Sequence, residues 1–160
     1  MSIFRELGIR SGKDRLNEEV VYNIARSYVY VEQAISNFLT KYNLSSAKFN
    51  ILLMAKHRGE DKGLPQREIS RLLLVTTSNI TRMVDKLEKE SYVERLAKEG
   101  DRRVNLIKIT EKGATLLDEI WPHYKVMVDK LVASPLSAQD KLTIISLLEK
   151  FKCENTENKS

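Results

Sequence analysis

The strongest constraint on the fold is a segment after Thr76 that has the pattern of a helix with one apolar side and one polar side. Ile80, Val84 and Leu87 recur at spacings of four and three residues, which places them on a single helical face. Thr76 has the short hydroxyl side chain that suits the cap before such a helix. A helix patterned in this way rests on a core and presents its other face to solvent or to a partner.

The polar side of this predicted helix carries short hydrogen-bonding groups and long cations. Such groups reach base edges and phosphates in the major groove of DNA. A solvated surface is the plainer interpretation, because most polar helix faces contact only water. The outer positions are Thr77, Ser78, Asn79, Thr81, Arg82, Asp85 and Lys86. We predict that all of these except Asp85 contact DNA.

A shorter helix is predicted immediately before this one, over Pro65–Leu73. Proline suits a first helical position, and Ile69, Leu72 and Leu73 share one face. The two helices are separated only by a short connection at Leu74. This order predicts a helix-turn-helix over about residues 65–89, in which the second helix is the recognition helix.

Two segments rich in β-forming residues follow, Tyr92–Leu96 and Val104–Ile109. They flank a charged segment, Ala97–Arg103, in which Gly100 suits a tight turn. The pattern predicts a hairpin over about residues 92–109 that acts as the wing of a winged helix-turn-helix. Its arginines suit the minor groove or phosphates, and the acid beside them would orient them. The candidate wing contacts are Asp101, Arg102 and Arg103.

The charge of this region agrees with a DNA partner. Residues 64–110 contain 10 Lys+Arg against 7 Asp+Glu, and the whole chain has a formal net charge of +5 and a pI of about 9.3. A basic balance permits nucleic acid binding without requiring it.

Helices are also predicted before this region. One long amphipathic helix runs from Asp14 to about Lys41 without Gly or Pro, and a second starts at Ser45 or Ser46. The segment His57–Gly63 is predicted as a polar loop, and residues 1–13 as a loose arm that packs on a partner subunit. The apolar face of the long helix belongs either to the core of a monomer or to the interface of a dimer. Its residues are Leu16, Val20, Ile24, Tyr28, Val31, Ile35 and Phe38.

Two more helices are predicted after the wing. Thr110 caps the first, which Pro122 should kink, and Ser137 starts the second with a capping-box pattern. The polar residues after Lys152 are predicted to fray. Apolar helices at both ends thus surround a polar, basic centre.

This organisation predicts one mainly α domain over residues 1–160 with a small β-hairpin, an α+β winged helix-turn-helix. Residues 14–42 and 111–152 would form a homodimer, and residues 44–110 would form the DNA-binding lobe.

Other classes of function lack their motifs in this sequence. H-E-x-x-H, paired C-x-x-C, G-x-G-x-x-G and nucleophile-elbow motifs do not occur, so we expect no enzyme activity and no cofactor. With only Cys153, His57 and His123 as strong ligands, no structural metal site is expected. A single cysteine suits a reducing cytoplasm, and no apolar run is long enough to span a bilayer.

Three stretches of the chain resemble the MarR family of bacterial and archaeal regulators. Ser78–Glu88 is similar to the recognition helix of that family, and Ser45–Leu52 is similar to the helix that precedes its helix-turn-helix. Asp101–Gly113 resembles its wing signature. Leu74 and Ser91 stand where the family commonly has glycine, at positions that often need a positive φ.

This resemblance implies a homodimeric transcription factor, a ligand-responsive repressor, that binds pseudo-palindromic double-stranded DNA and responds to a small aromatic or phenolic effector. The effector would bind between the terminal helices and the DNA-binding lobe; possible contacts are Tyr22, Arg26, Tyr28, Tyr30 and Tyr42. A rival hypothesis is a winged-helix protein-interaction module whose basic face meets an acidic partner. Salt-dependent binding to a preferred DNA sequence would separate the two.

Overall fold

The structure, a computed structural model, describes residues 3–9, 12–59, 61–98, 100–133 and 135–157. Backbone contacts divide the chain into two compact units, Met1–Trp121 and Pro122–Ser160. The helices and strands, in chain order, are α1 (Ile3–Glu6), α2 (Leu16–Leu39), α3 (Ser46–Gly59), β1 (Leu64–Pro65), α4 (Gln66–Leu73), α5 (Thr77–Lys89), β2 (Val93–Lys98), β3 (Asp101–Ile109), α6 (Glu111–Ala133) and α7 (Ala138–Glu157).

The core of the first unit lies among α3, α4, α5 and the sheet. Ile80, Val84 and Leu87 are fully buried on the inner side of α5, as their spacing predicts. They share this core with Phe49 of α3 and Ile107 of β3, which are also buried. Burial of five such side chains contributes about 1.5–3 kcal/mol each, which fixes α5 with its polar side outward.

The sheet has a third strand that the sequence pattern did not predict. Its order is β1-β3-β2, all antiparallel, and Pro65 pairs with Leu106. Pro65 is therefore not the first residue of α4: its φ of −55° and ψ of 129° are extended, and the helix starts at Gln66. A two-residue strand is invisible in a sequence because its partner strand lies about forty residues away.

The hairpin tip is shorter than the predicted segment Ala97–Arg103. β2 continues to Lys98 and β3 begins at Asp101, so Arg102 and Arg103 lie within a strand and not in the turn. The register shifts between Ala97 and Lys98, and Gly100 has a φ of +80°. The tight turn at glycine was thus predicted correctly, whereas the charged residues around it were wrongly assigned to a loop.

The amino-terminal segment packs on its own chain within the described residues, contrary to the predicted loose arm. Phe4 of α1 is fully buried, and its ring meets that of Tyr22 edge-on at 5.7 Å between centroids. Glu6 pairs with Arg26 at 2.6 Å. Likewise, part of the predicted loop His57–Gly63 is helical, because α3 continues to Gly59.

The second unit contains the end of α6, which includes Pro122, and the whole of α7. Ser137 and Asp140 form the predicted capping box: Ser137 N donates to Asp140 Oδ2 at 2.9 Å, and Asp140 N donates to Ser137 Oγ at 3.2 Å. Hydrogen bonds from Ser137 lower the pKa of the Asp140 carboxyl. The predicted fraying after Lys152 is wrong for the backbone as far as Glu157, where α7 ends.

Leu74 and Ser91 both adopt left-handed backbone conformations, with φ of 53° and 61°. Leu74 is the C-cap of α4 and its side chain is 92% exposed, so no packing offsets the strain.

We expect Leu74→Gly to raise the free energy of unfolding by about 0.5–1 kcal/mol, the left-handed penalty less the added unfolded-chain entropy. Chemical denaturation measures this. Arg71→Gly, at an ordinary helical position of α4, should instead lower the free energy of unfolding by about 1 kcal/mol. If both substitutions changed the free energy of unfolding in the same direction, the strain at Leu74 would be contradicted.

Candidate nucleic-acid interface

α5 presents a polar outer face because its apolar side is fixed in the core. Thr76 caps the helix, its Oγ1 accepting a hydrogen bond from Asn79 N at 3.4 Å. Thr77, Ser78 and Asn79 in the first turn of α5 are exposed. The exposed members of the predicted contact set are Thr77, Ser78, Asn79, Arg82 and Lys86, which we call the outer face of α5.

Thr81, also predicted as a DNA contact, is placed differently. It is half-buried, and its Oγ1 accepts a hydrogen bond from Gln66 Nε2 at 2.7 Å while donating to Thr77 O at 3.0 Å. The hydroxyl thus joins α4 to α5. Its hydrogen-bonding capacity is largely used inside the protein, so Thr81 is a poorer candidate for reading a base than its neighbours.

Among the described residues, the acidic side chains near the outer face of α5 are ion-paired, whereas two of its basic side chains are not. Arg82 and Lys86 form no ion pair with any residue that the structure describes. The nearby carboxylates are paired elsewhere: Glu90 accepts from Lys48 at 2.6 Å, and Asp85 accepts from Arg95 at 2.5 Å. The outer face therefore keeps two uncompensated cations, which attract phosphates.

The backbone of the predicted wing contacts forms the first three residues of β3, next to the hairpin turn. Asp101 pairs with Lys98 across the tip, and Arg102 and Arg103 follow it in the strand. The predicted orientation of the arginines by Asp101 falls on side chains outside the described residues. The arrangement of α5 beside an antiparallel hairpin has the chemistry and order of a winged helix-turn-helix.

Comparison with known proteins identifies this arrangement. Residues 44–104 match the model of the MarR family. The chain is also 31% identical over 110 residues to the HTH-type transcriptional regulator MhqR of Bacillus subtilis, a match that covers 69% of this chain and 74% of that protein. The chain belongs to the MarR family. Like the relatives it matches, it is a transcriptional regulator.

Solved MarR-family structures share its fold. A cysteine-to-serine mutant of MarR from E. coli, complexed with operator DNA, aligns with a TM-score of 0.76 at 22% identity, covering 88% of this chain and 99% of the other. CouR from Rhodococcus jostii RHA1, bound to p-coumaroyl-CoA, aligns with a TM-score of 0.73 at 22% identity, covering 85% and 93%. The winged-helix architecture of this MarR-family regulator is therefore confirmed.

Sequence reasoning missed the contact that joins the wing to α5. Arg95 of β2 donates to Asp85 Oδ1 at 2.5 Å and also pairs with Glu88. Its backbone N–H donates to Glu88 Oε1 at 3.3 Å. The sequence did contain a signal: Asp85 and Glu88 are three residues apart and so share a helix face, and an arginine follows in the next strand.

A small cleft lies between α3 and α6 within the first unit. Its volume is about 70 Å³, and its lining residues are Leu53, Lys56, His57, Leu117, Asp118 and Trp121. Lys56 Nζ pairs with Asp118 Oδ1 at 2.5 Å. The candidate effector contacts named from the sequence are not among these residues: Tyr22, Tyr28 and Tyr30 are exposed on α2, and Arg26 pairs with Glu6.

The described part of the chain contains no group of three or more His, Cys, Asp or Glu side chains arranged to hold a metal ion. Within the same residues, no helix is both long and apolar enough to cross a membrane.

Proposed function

We propose that this MarR-family regulator is a homodimer that binds a pseudo-palindromic operator and represses transcription from it until an effector binds. The outer face of α5 enters the major groove, and Arg102 and Arg103 of the wing contact the adjacent minor groove or phosphates. The observation that carries this proposal is the pair of cations, Arg82 and Lys86, left without ion-pair partners among the described residues while Asp85 is neutralised by Arg95. The MarR mutant from E. coli, which shares the fold, was solved with operator DNA.

Exposed apolar side chains support the homodimer. Val20, Tyr28 and Val29 of α2 are 52%, 67% and 60% exposed in the single chain. On α7, Leu142 and Leu147 are 62% and 59% exposed. A chain that exposes this much apolar surface on its terminal helices gains free energy by covering it with a second copy. The twofold symmetry would place two α5 helices about 34 Å apart, one turn of DNA.

Selection from a pool of random-sequence DNA duplexes tests the proposal. We expect enrichment of a two-half-site sequence, a dimeric mass by light scattering at micromolar protein, and an affinity that falls steeply as salt rises. A monomeric mass would contradict the dimer. Equal binding to selected and shuffled duplexes would contradict the sequence-specific operator and favour a basic surface for a protein partner.

The effector is proposed to bind in the cleft between α3 and α6. Trp121, the single tryptophan of the chain, lines this cleft and is 45% exposed, and Lys56 supplies a cation at its edge. CouR, which shares the fold, was solved with p-coumaroyl-CoA, an aromatic acid thioester. This cleft is small, so a ligand would have to widen it by parting Lys56 from Asp118.

Tryptophan fluorescence offers a direct test of this site. Titration with benzoate, 4-hydroxybenzoate and phenol should change the emission of Trp121 and weaken binding to the selected duplex at the same concentrations. Lys56→Met should remove the response to the two carboxylates, whereas Lys41→Met, a change at an exposed cation outside the cleft, should leave it intact. If none of these compounds alters both signals, the effector class is wrong.

A further inference from the structure

Arg95 is the most highly connected cation that the structure describes. Its side chain is only 23% exposed, and its two terminal nitrogens reach different residues of α5: Nη2 lies 2.5 Å from Asp85 Oδ1, and Nη1 pairs with Glu88. Nη2 also donates to Thr81 O at 3.5 Å. The guanidinium therefore joins residues spread over about two helical turns of α5 from a single position on β2.

The partners of Arg95 stand next to the proposed DNA contacts. Asp85 is three residues after Arg82, a spacing at which helical side chains are neighbours and form ion pairs. Without another partner, Asp85 would compete with DNA for the Arg82 guanidinium. Its carboxylate would also repel nearby phosphates, because it is 47% exposed.

We propose that Arg95 is a positioning residue for DNA binding, which withdraws the carboxylates of Asp85 and Glu88 from the DNA-facing side of α5 and so keeps Arg82 free. This inference rests on the proposed DNA-binding function. It adds a role for a wing residue that faces the protein and does not contact DNA. The role is electrostatic: one arginine offsets two acids that would otherwise lie beside the phosphates.

Substitution of Arg95 by Met tests this role, because Met keeps an apolar stem without the charge. We expect the affinity for the selected duplex to fall on the order of tenfold at about 50 mM salt, and the deficit to shrink as salt screens the repulsion. Restoring neutrality with Asp85→Asn and Glu88→Gln in the same chain should return the affinity to within about threefold of wild type. If Arg95 only held the wing against α5, this rescue would not occur, because the contact between β2 and α5 stays broken in the triple variant.

Arg58→Met is the matched control. Arg58 pairs with Glu68 at 3.0 Å between α3 and α4, so its substitution also leaves a carboxylate unpaired, but on α4 and not on α5. This variant should bind the duplex as wild type does. If Arg95→Met does not fold by circular dichroism, Arg95→Gln, which keeps two hydrogen-bond donors, replaces it with the same expected outcomes.

The outcomes separate the two proposals. If wild-type protein binds no duplex, the proposed function fails. If wild type binds and Arg95→Met binds equally tightly, or the neutral triple variant stays as weak as Arg95→Met, the role of Arg95 is overturned while DNA binding stands.

Discussion

Replacing Arg82 with alanine should weaken binding to the selected duplex by about 1–3 kcal/mol in each half-site, and should relax the preference at one base position. Arg82 is exposed on the outer face of α5, and it makes no ion pair with the residues that the structure describes. Its guanidinium carries donors in the planar fork that matches guanine O6 and N7. Fluorescence anisotropy with the selected duplex and with single-base variants of it measures both effects.

Two other variants show whether this effect is specific. Lys41→Ala removes one exposed positive charge outside residues 64–110 and should change neither affinity nor base preference. Arg103→Ala should weaken the selected and a mixed-sequence duplex together, because a wing arginine reads charge and groove width more than base identity. Its salt slope should become shallower by about 0.9 for each phosphate that the variant no longer neutralises. If Arg82→Ala behaved like Arg103→Ala, Arg82 would bind a phosphate and not a base.

Replacing Gly113 with alanine should destabilise the protein by about 3 kcal/mol, although alanine is the better helix former. Gly113 is buried in the first turn of α6. A Cβ at this position would lie 2.2 Å from the backbone oxygen of Tyr92 and 3.0 Å from Ile109 Cγ1. The Tyr92 oxygen is held in place, since it accepts a hydrogen bond from Thr110 N at 3.1 Å.

The close approach at Gly113 joins the start of α6 to the base of the wing. Thr110 Oγ1 accepts from Gly113 N at 3.1 Å and donates to Ser91 O at 2.7 Å. The added methyl group must therefore push α6 away from β2 or break these bonds. Thermal unfolding should show a decrease in Tm of roughly 6–12 °C.

Gly100→Ala separates the steric effect from backbone strain. Nothing lies within 4 Å of a Cβ at Gly100, whose φ is +80°, so this variant should cost only the left-handed penalty of about 1–2 kcal/mol. A Tm for Gly113→Ala at or above that of Gly100→Ala would contradict the close approach of α6 to Tyr92.

Features that depend on near neighbours in the chain were predictable from the sequence. The inner face of α5, its Thr76 cap and the capping box at Ser137 each involve residues within about one or two helical turns, so spacing and side-chain type decide them. The resemblance to the MarR family placed Leu74 and Ser91 at positions that often need a positive φ, and both residues adopt one. The resemblance to the MarR family pointed to the same fold and was confirmed.

Only the tertiary structure decided how the polar groups of α5 are used. In the sequence, Thr81 and Asp85 look like the other outer positions, yet the Thr81 hydroxyl is hydrogen-bonded to Gln66 and the Asp85 carboxylate is paired with Arg95. Helical spacing assigns a residue to a face, but it does not show which partner another element brings to that face. The brief strand β1 and the placement of Arg102 and Arg103 within β3 were hidden for the same reason, because strand pairing joins residues that are distant in the chain.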